Sequence, residues 1–153
     1  MYFWPEGHHS CGILLTKGPD LLVYSGGVLR KGNSDQHFKP VSLQNGGHYA
    51  QERTFFLSAS AESVSLPNGY VGDVKERVAG TMPAMMTHAN APYIGPGSVF
   101  EGTITFENYM LLDGQISEGM PFTTLNLIKL RTPISGGLTS RYKGQQGATA
   151  SRL

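Results

Sequence analysis

The stretch of residues 91–109, APYIGPGSVFEGTITFENY, decides the fold that we predict for this chain. Its second half alternates between polar and apolar side chains, which is the pattern of a β-strand with one face in a core. The alternation places Ile104 and Phe106 on the buried face. The opposite face carries two hydroxyls and one carboxylate, from Thr103, Thr105 and Glu107. If this polar face lines a pocket, Glu107 is a candidate general base; the alternative is a solvated strand glutamate.

Turn-forming residues divide the rest of the chain in the same manner. Twenty glycines and nine prolines are spread from end to end. No segment shows apolar residues at helical spacing over the ~11 to 18 positions of a long helix. Short strands are predicted over residues 12–16, 21–24, 54–59, 63–66, 102–108 and 122–130. The predicted fold class is therefore mainly β, a barrel or sandwich.

The remaining segments complete a single predicted domain over residues 1–153, a length that suits one hydrophobic core. Residues 25–47 are expected to form a long loop or a ragged hairpin. One short helix is predicted between Lys75 and Met82, where Pro83 limits it. Residues 136–153 are polar and rich in glycine, so we expect them to form a flexible C-terminal lid.

Charge and residue content exclude several function classes. A formal net charge of +1 provides no basic field for DNA or RNA. No apolar run approaches the ~20 residues of a membrane span, and the single Cys11 demands no oxidising compartment. We therefore expect a cytoplasmic protein without membrane association. The histidines lack cysteine or aspartate partners at metal-ligand spacing, so no zinc or other metal site is predicted.

Four sequence blocks, in order, resemble one known family. They are SVSLPNGYVGDVKERVAGTMPAMMTHANAPYIGPG at 63–97, GTITFEN at 102–108, ISEGMPFTTLNL at 116–127 and RYKGQQGATASR at 141–152. Together they resemble the dCTP deaminase branch of the trimeric dUTPase superfamily. The resemblance runs from Ser63 to the end of the chain. It is weak before Phe55, where the usual opening helix of the family is missing.

The resemblance implies a dUTPase-like β-barrel or jelly roll (a β-clip fold) and a homotrimer with active sites shared between subunits. It also implies a deoxynucleotide ligand, Mg²⁺ accompanying the phosphates, and deamination without zinc. Glu107 matches the glutamate that activates water at C4 of cytosine, and Ala91 matches the residue whose carbonyl positions that water. The implied nucleotide-binding residues are Arg77, Arg141, Tyr142 and Gln145. Tyr142 is equally consistent with a sugar contact and with an anchor for the tail.

Three positions depart from the family pattern. Val78 and Met82 stand where the family has a serine and an arginine, which contact the phosphates or hold the amino group and the water in place. Apolar groups thus replace both donors and remove one positive charge. Gly95 stands where a dUTPase has its aspartate, which disfavours phosphate hydrolysis. The sequence leaves three hypotheses: a divergent, viral or otherwise specialised deaminase; an inactive nucleotide-binding or regulatory trimer; and a structural trimer. His88 matches a family histidine, either structural or in contact with the base.

Overall fold

The computed structural model describes residues 12–29, 34–76, 85–87, 93–97, 99–134 and 139–150. Ten strands lie within these ranges. They are β1 (Ile13–Tyr24), β2 (Phe38–Ser42), β3 (His48–Ala50), β4 (Phe55–Ser65), β5 (Tyr70–Glu76), β6 (Met85–Thr87), β7 (Tyr93–Ile94), β8 (Glu101–Met110), β9 (Gly114–Ile116) and β10 (Pro121–Lys129). None of the described helical segments is long and apolar enough to cross a membrane.

One curled sheet of eight strands makes up most of the molecule, in the order β6-β8-β4-β1-β10-β5-β7 with β2 also paired to β1. The curl comes from β1, which changes partners along its length. Its first part, from Ile13, pairs with β10. Its second part pairs with β2 and β4 on either side. The small pair β3–β9 stands apart from this sheet. The predicted mainly β class is confirmed.

Several predicted strands prove to be parts of longer ones. Of the first two predicted strands, residues 13–16 and 21–24 both belong to β1, and of the next two, residues 55–59 and 63–65 both belong to β4. The turn-like residues between them are accommodated by register shifts within the strands, between Lys17 and Leu21 and between Ala59 and Ser63. Of the two alternatives for residues 25–47, the hairpin is the closer, because β2 runs antiparallel to β1.

The predicted helix does not start at Lys75. Lys75 is paired with Thr124 inside the β5–β10 ladder, so its backbone is extended and the prediction is wrong there. Valine, tyrosine and glycine dominate this segment, and the alternating burial of Gly72 and Val74 is that of a strand. Residues 77–82 lie outside the described part of the chain. The described helical piece is a 3₁₀ turn, Ser34–His37.

Two apolar clusters fill the interior of the curled sheet. The first combines β8 and β10, where the rings of Phe106 and Phe122 meet edge to face at 4.7 Å. The second is built around Leu21, Phe56 and Met110. Both clusters include side chains from the inward face of β8, so packing against the core holds β8 in place along its length. Its outward face remains for the candidate site.

Candidate functional site

A cavity of about 470 Å³ lies on the outward face of β8. Three parts of the chain enclose it: the centre of the sheet, the segment around β7 with its following turn, and the C-terminal segment. The lining residues are Leu57, Tyr93, Ile94, Gly95, Val99, Phe100, Ile104, Thr105, Glu107, Ser140, Tyr142, Gln145 and Thr149. Its size falls within the ~300 to 1,000 Å³ typical of small-molecule pockets.

Glu107 lies in the wall of this cavity, as the strand alternation predicts. Its inward neighbours Phe106 and Asn108 are almost fully buried, whereas Glu107 is half-buried. Opposite Glu107 on the neighbouring strand stands Leu57, which is 6% exposed. Both residues line the cavity, so part of the surroundings of Glu107 is apolar. The solvated strand glutamate is the alternative that this placement disfavours.

The C-terminal segment is held on the polar face of β8 by hydrogen bonds to two threonines. The side-chain Nε2 of Gln145 donates to the carbonyl of Thr103 at 3.1 Å and to Oγ1 of Thr105 at 2.6 Å. The backbone nitrogen of Thr103 donates in turn to the carbonyl of Gln145 at 3.0 Å. The backbone nitrogen of Thr149 also reaches Oγ1 of Thr105, at 3.3 Å. This segment therefore forms one wall of the cavity.

Gly102 allows the close approach of that segment. Its φ of 135° lies in a region that favours glycine, and it forms a parallel bridge with Gln145. A Cβ at this position would lie 2.5 Å from the backbone oxygen of Gln145 and 2.9 Å from its nitrogen. Both neighbours are backbone atoms, so no side-chain rotation could make room. A glycine is therefore needed for the tail to dock.

The predicted tail residues have different surroundings. Tyr142 lines the cavity, and its carbonyl accepts a hydrogen bond from the backbone nitrogen of Gln145 at 3.1 Å. Arg141 is exposed and does not line the cavity. Gln145 is buried, and both hydrogens of its amide nitrogen are directed at β8. Contacts of these residues with a nucleotide, and a lid function for 136–153, stay predictions.

Other predicted site residues lie outside the described part of the chain. They are Arg77 and Ala91, together with Val78, Met82 and His88. Gly95 is described and lines the cavity, followed by a turn in which the Pro96 carbonyl accepts hydrogen bonds from Val99 and Phe100, both at 2.8 Å. A Cβ at Gly95 would meet Val99 at 3.1 Å. This side of the cavity is apolar.

The charge of the described cavity wall is negative. Among the described lining residues, Glu107 is the only one with a charged side chain. The described ranges also contain no group of three or more His, Cys, Asp or Glu side chains that could hold a metal ion. A carboxylate that faces a mainly apolar cavity can accept a proton from a bound water or a hydrogen bond from an amino group.

Sequence reasoning missed a polar cluster on the other face of β8, formed by Lys17, Ser58, Thr87 and Asn108. All four side chains are buried, and Lys17 is 0% exposed. The alternation that placed Ile104 and Phe106 inward also places Asn108 inward, so that signal was present in the sequence. Lys17 follows a predicted strand and precedes GPD, which resembles a turn, so no pattern indicated its burial.

Comparison with known proteins identifies the fold first. A crystal structure of 2'-deoxycytidine 5'-triphosphate deaminase from Agrobacterium tumefaciens superimposes with a TM-score of 0.62 at 13% identity, covering 83% of this chain and 41% of that one. At this identity the likeness shows the fold alone, a dUTPase-like β fold. No protein-family model matches the chain.

Curated relatives then define the family. The dCTP deaminase, dUMP-forming, of Persephonella marina is 30% identical over 145 residues, which is 91% of this chain and 79% of that protein. Its counterpart from Corynebacterium glutamicum is 31% identical over 128 residues, 78% and 67% of the two chains. That of Mycobacterium ulcerans is 34% identical over 105 residues, and this chain spans 54% of its length. The chain belongs to the dCTP deaminase branch of the trimeric dUTPase superfamily.

Proposed function

We propose that this protein binds a deoxycytidine nucleotide in the cavity and deaminates its base hydrolytically, with Glu107 as the general base. The placement of Glu107 carries the proposal: a half-buried carboxylate on the outward face of β8, in the wall of a pocket-sized cavity. Membership of the dCTP deaminase branch supports the substrate class. The named relatives are dUMP-forming dCTP deaminases; for this chain the deamination step is proposed, without the loss of phosphates that dUMP formation requires.

The proposed reaction needs one water and one carboxylate. Glu107 takes a proton from the water, and the water oxygen bonds to C4 of the cytosine ring. The carboxylate passes this proton to N3 of the ring and then carries the remaining proton of the added hydroxyl to the amino group, so that the C4–N bond breaks, C4=O forms and ammonia leaves. Deoxycytidine nucleotide and water thus give deoxyuridine nucleotide and ammonia. The carbonyl of Ala91 is proposed to hold the water in line.

The cavity supports a division of the ligand into a buried base and exposed phosphates. Apolar groups from Leu57, Val99 and Phe100 suit the faces of a base and a deoxyribose. We propose that Arg77 and Arg141 contact the phosphates, with Tyr142 and Gln145 near the sugar and phosphates in the closed tail. Mg²⁺ would arrive with the phosphates as part of the substrate. Gly95 supplies no carboxylate for phosphate hydrolysis, so the product should keep all its phosphates.

We also propose a homotrimer with sites shared between subunits. Large apolar side chains stay exposed beside the cavity and on the strands next to it: Tyr93 is 66% exposed, Met86 48% and Tyr109 40%. Met86 and Tyr109 are cross-strand partners, so they form one continuous surface with the outward face of β8. A neighbouring subunit would cover this surface and could add positive charge to the site. Light scattering of the purified protein tests the trimer, and a monomer would contradict it.

A nucleotide-binding or regulatory protein without turnover is the second candidate. Two observations favour it: the described cavity lining contains no lysine or arginine, and the sequence has Val78 and Met82 at the expected phosphate-side positions. Loss of charge-assisted hydrogen bonds, about 1.5 to 3 kcal/mol each, weakens triphosphate binding strongly. This candidate predicts measurable affinity for a nucleotide and no product.

Turnover assays separate the two candidates. Purified protein is incubated with dCTP, dCMP and 5-substituted deoxycytidine nucleotides in the presence of Mg²⁺, and ammonia and the uracil product are measured. The deaminase proposal predicts equal amounts of both products from at least one nucleotide, with its phosphates intact. Calorimetry with the same nucleotides is the companion measurement. Binding without product supports the second candidate, and the absence of both contradicts a nucleotide function.

A further inference from the structure

The centre of the fold contains a buried cation that the proposed chemistry does not use. Lys17 is 0% exposed and lies where β1 passes from its pairing with β10 to its pairing with β4. Its Nζ lies 3.9 Å from the centre of the Phe122 ring and 5.6 Å from that of Phe56. These rings belong to the two different apolar clusters. The ammonium group therefore sits at the junction of both.

Every hydrogen of that ammonium group has a partner. Nζ donates to Oγ of Ser58 and to Oδ1 of Asn108, both at 3.0 Å, and the face of Phe122 receives the third N–H. No carboxylate in the described part of the chain lies within ion-pair distance of Nζ. Glu62 does bond to Thr16, the residue before Lys17, through the backbone nitrogen and the hydroxyl of Thr16.

Asn108 connects this cation to the strands that frame the cavity. Its Oδ1 also accepts a hydrogen bond from Oγ1 of Thr87 at 3.1 Å, and its Nδ2 donates to the carbonyls of Phe56 and Phe106 and to Ser58. One amide thus ties together β1, β4, β6 and β8. Asn108 directly follows Glu107, and Thr87 stands four residues before Ala91 in the sequence.

We propose that Lys17 is a positioning residue, which acts through Asn108 to fix the placement of Glu107 and of the end of β6 relative to the cavity. The proposal rests on the proposed function for its link to turnover, but the placement of Glu107 can be measured without turnover. A merely structural role is a poor explanation, because a buried ammonium without a carboxylate partner costs more than an apolar side chain of the same size. We infer that Lys17 is retained because its contacts with Ser58 and Asn108 specify one arrangement of the strands.

The Lys17→Met variant tests this directly. It removes the charge and keeps the length of the side chain, and Asn108 Oδ1 and Ser58 Oγ both keep another hydrogen-bond donor, so no buried acceptor is orphaned. We expect the variant to fold and to be at least as stable as the wild type at neutral pH. We expect kcat for the nucleotide that the turnover assay identifies as a substrate to fall about tenfold or more, with KM changed less than threefold.

A carboxyl ¹³C NMR signal assigned to Glu107 provides the readout that does not depend on activity. The Lys17→Met change should shift this signal, whereas the Lys129→Met change, at an exposed lysine on β10, should not. An unchanged Glu107 signal together with unchanged kcat would overturn the proposal. If no nucleotide is turned over, a shifted Glu107 signal still supports it, so the two failures are distinguishable.

The wild-type protein supplies a second measurement if the variant does not fold. Burial lowers the pKa of Lys17 to about 7. The groups that face Nζ from β4, β8 and β10 are a hydroxyl, an amide and two aromatic rings, none of which titrates in this range. The Glu107 signal should therefore show a step with the same midpoint as the Lys17 Nζ signal. Independent midpoints, or no step at Glu107, would overturn the proposal.

Discussion

The two faces of β8 place ionisable groups in opposite environments. The pocket face places a carboxylate in a half-open cavity and covers its hydroxyls with the C-terminal segment. The core face places an amide against a fully buried ammonium group. The pocket face consists of Thr103, Thr105 and Glu107, and the core face of Ile104, Phe106 and Asn108. One strand therefore carries a carboxylate in the wall of an open cavity on one face and a buried amide on the other.

The difference between these faces indicates how the site can diverge without loss of fold. On the core face, Lys17 and Asn108 each have several protein partners, so a change there affects contacts between four strands. On the pocket face the tail contacts β8 through a few hydrogen bonds and one glycine, so it can detach locally. We therefore expect substitutions on the pocket face to change function with little effect on global stability. Substitutions on the core face should change stability and its pH dependence.

The largest expected effect is that of Glu107→Gln on turnover. The amide cannot take a proton from water, so kcat for the nucleotide that the turnover assay identifies as a substrate should fall about 100- to 10,000-fold. The free energy of unfolding should change by less than about 1 kcal/mol, because the site is on the pocket face. Steady-state kinetics and urea denaturation measure the two. Glu118→Gln, at an exposed glutamate outside the cavity lining, is the control and should keep wild-type kcat. A Glu107→Gln variant as active as this control would contradict the role.

The core face should show itself in the pH dependence of stability. Burial lowers the pKa of Lys17 from its ordinary 10.5 to about 7, so between these values the unfolded chain binds more protons than the folded one. Stability should therefore rise with pH from about 7 to about 10.5, by at most about 4 to 5 kcal/mol. As pH falls, the gain is lost across the same window, and below about 7 the contribution of Lys17 stays constant. Urea denaturation from pH 6 to 10, wild type minus Lys17→Met, isolates this contribution. Parallel curves for the two proteins would contradict it.

Gly102→Ala should separate the tail from β8. The new Cβ would meet the backbone of Gln145 at 2.5 Å in a backbone region that disfavours alanine, at a cost of about 1 to 3 kcal/mol. Hydrogen exchange of residues 139–150 should accelerate while the amides of β1 and β4 stay protected. The matched control is Gly119→Ala, where φ is also positive (73°) but nothing lies within 4 Å. Equal exchange of the tail in both variants would show that the contact with Gln145 does not hold it.

Thr105→Val should have the smallest effect. It removes the hydroxyl that accepts from Gln145 Nε2 and from the Thr149 nitrogen, whereas Nε2 keeps the Thr103 carbonyl. We expect the tail to lose about 1 to 2 kcal/mol of local stability, again by hydrogen exchange. Thr124→Val is the control, because the structure gives the hydroxyl of this described β10 residue no hydrogen bond. A tail as protected as in that control would contradict the contribution of Thr105.

Features that depend on neighbouring residues in the sequence could be predicted, and features that depend on residues far apart in the sequence could not. Alternation along β8 is local, so the inward Ile104 and Phe106 and the outward Glu107 were predicted correctly. Turn residues are also local signals, but they predicted strand ends that the structure does not have. Glycine and proline in KGPD suggested a break, whereas pairing on both sides keeps β1 continuous as an irregular strand. Lys75 was assigned to a helix from its local sequence. The assignment failed because helical propensity is a weak preference that strand pairing overrides.

The buried lysine could not be predicted from the sequence. Lysine is almost always exposed, and its partners Ser58 and Asn108 lie 41 and 91 positions further along the chain. Only the curled sheet brings them together. The docking of Gln145 on Thr103, 42 positions apart, is of the same kind. The family resemblance indicated which tail residues to consider. The hydrogen bonds that hold the tail on β8 join residues distant in the sequence, so the sequence alone could not predict them.

A crystal structure of the Glu107→Gln variant with the deoxycytidine nucleotide that it binds most tightly tests the central claim most directly. We predict the cytosine ring inside the cavity on the outward face of β8, with a water within about 3 Å of both C4 and the side chain at position 107. A base bound outside this cavity, or inside it with C4 turned away from position 107, would contradict the account.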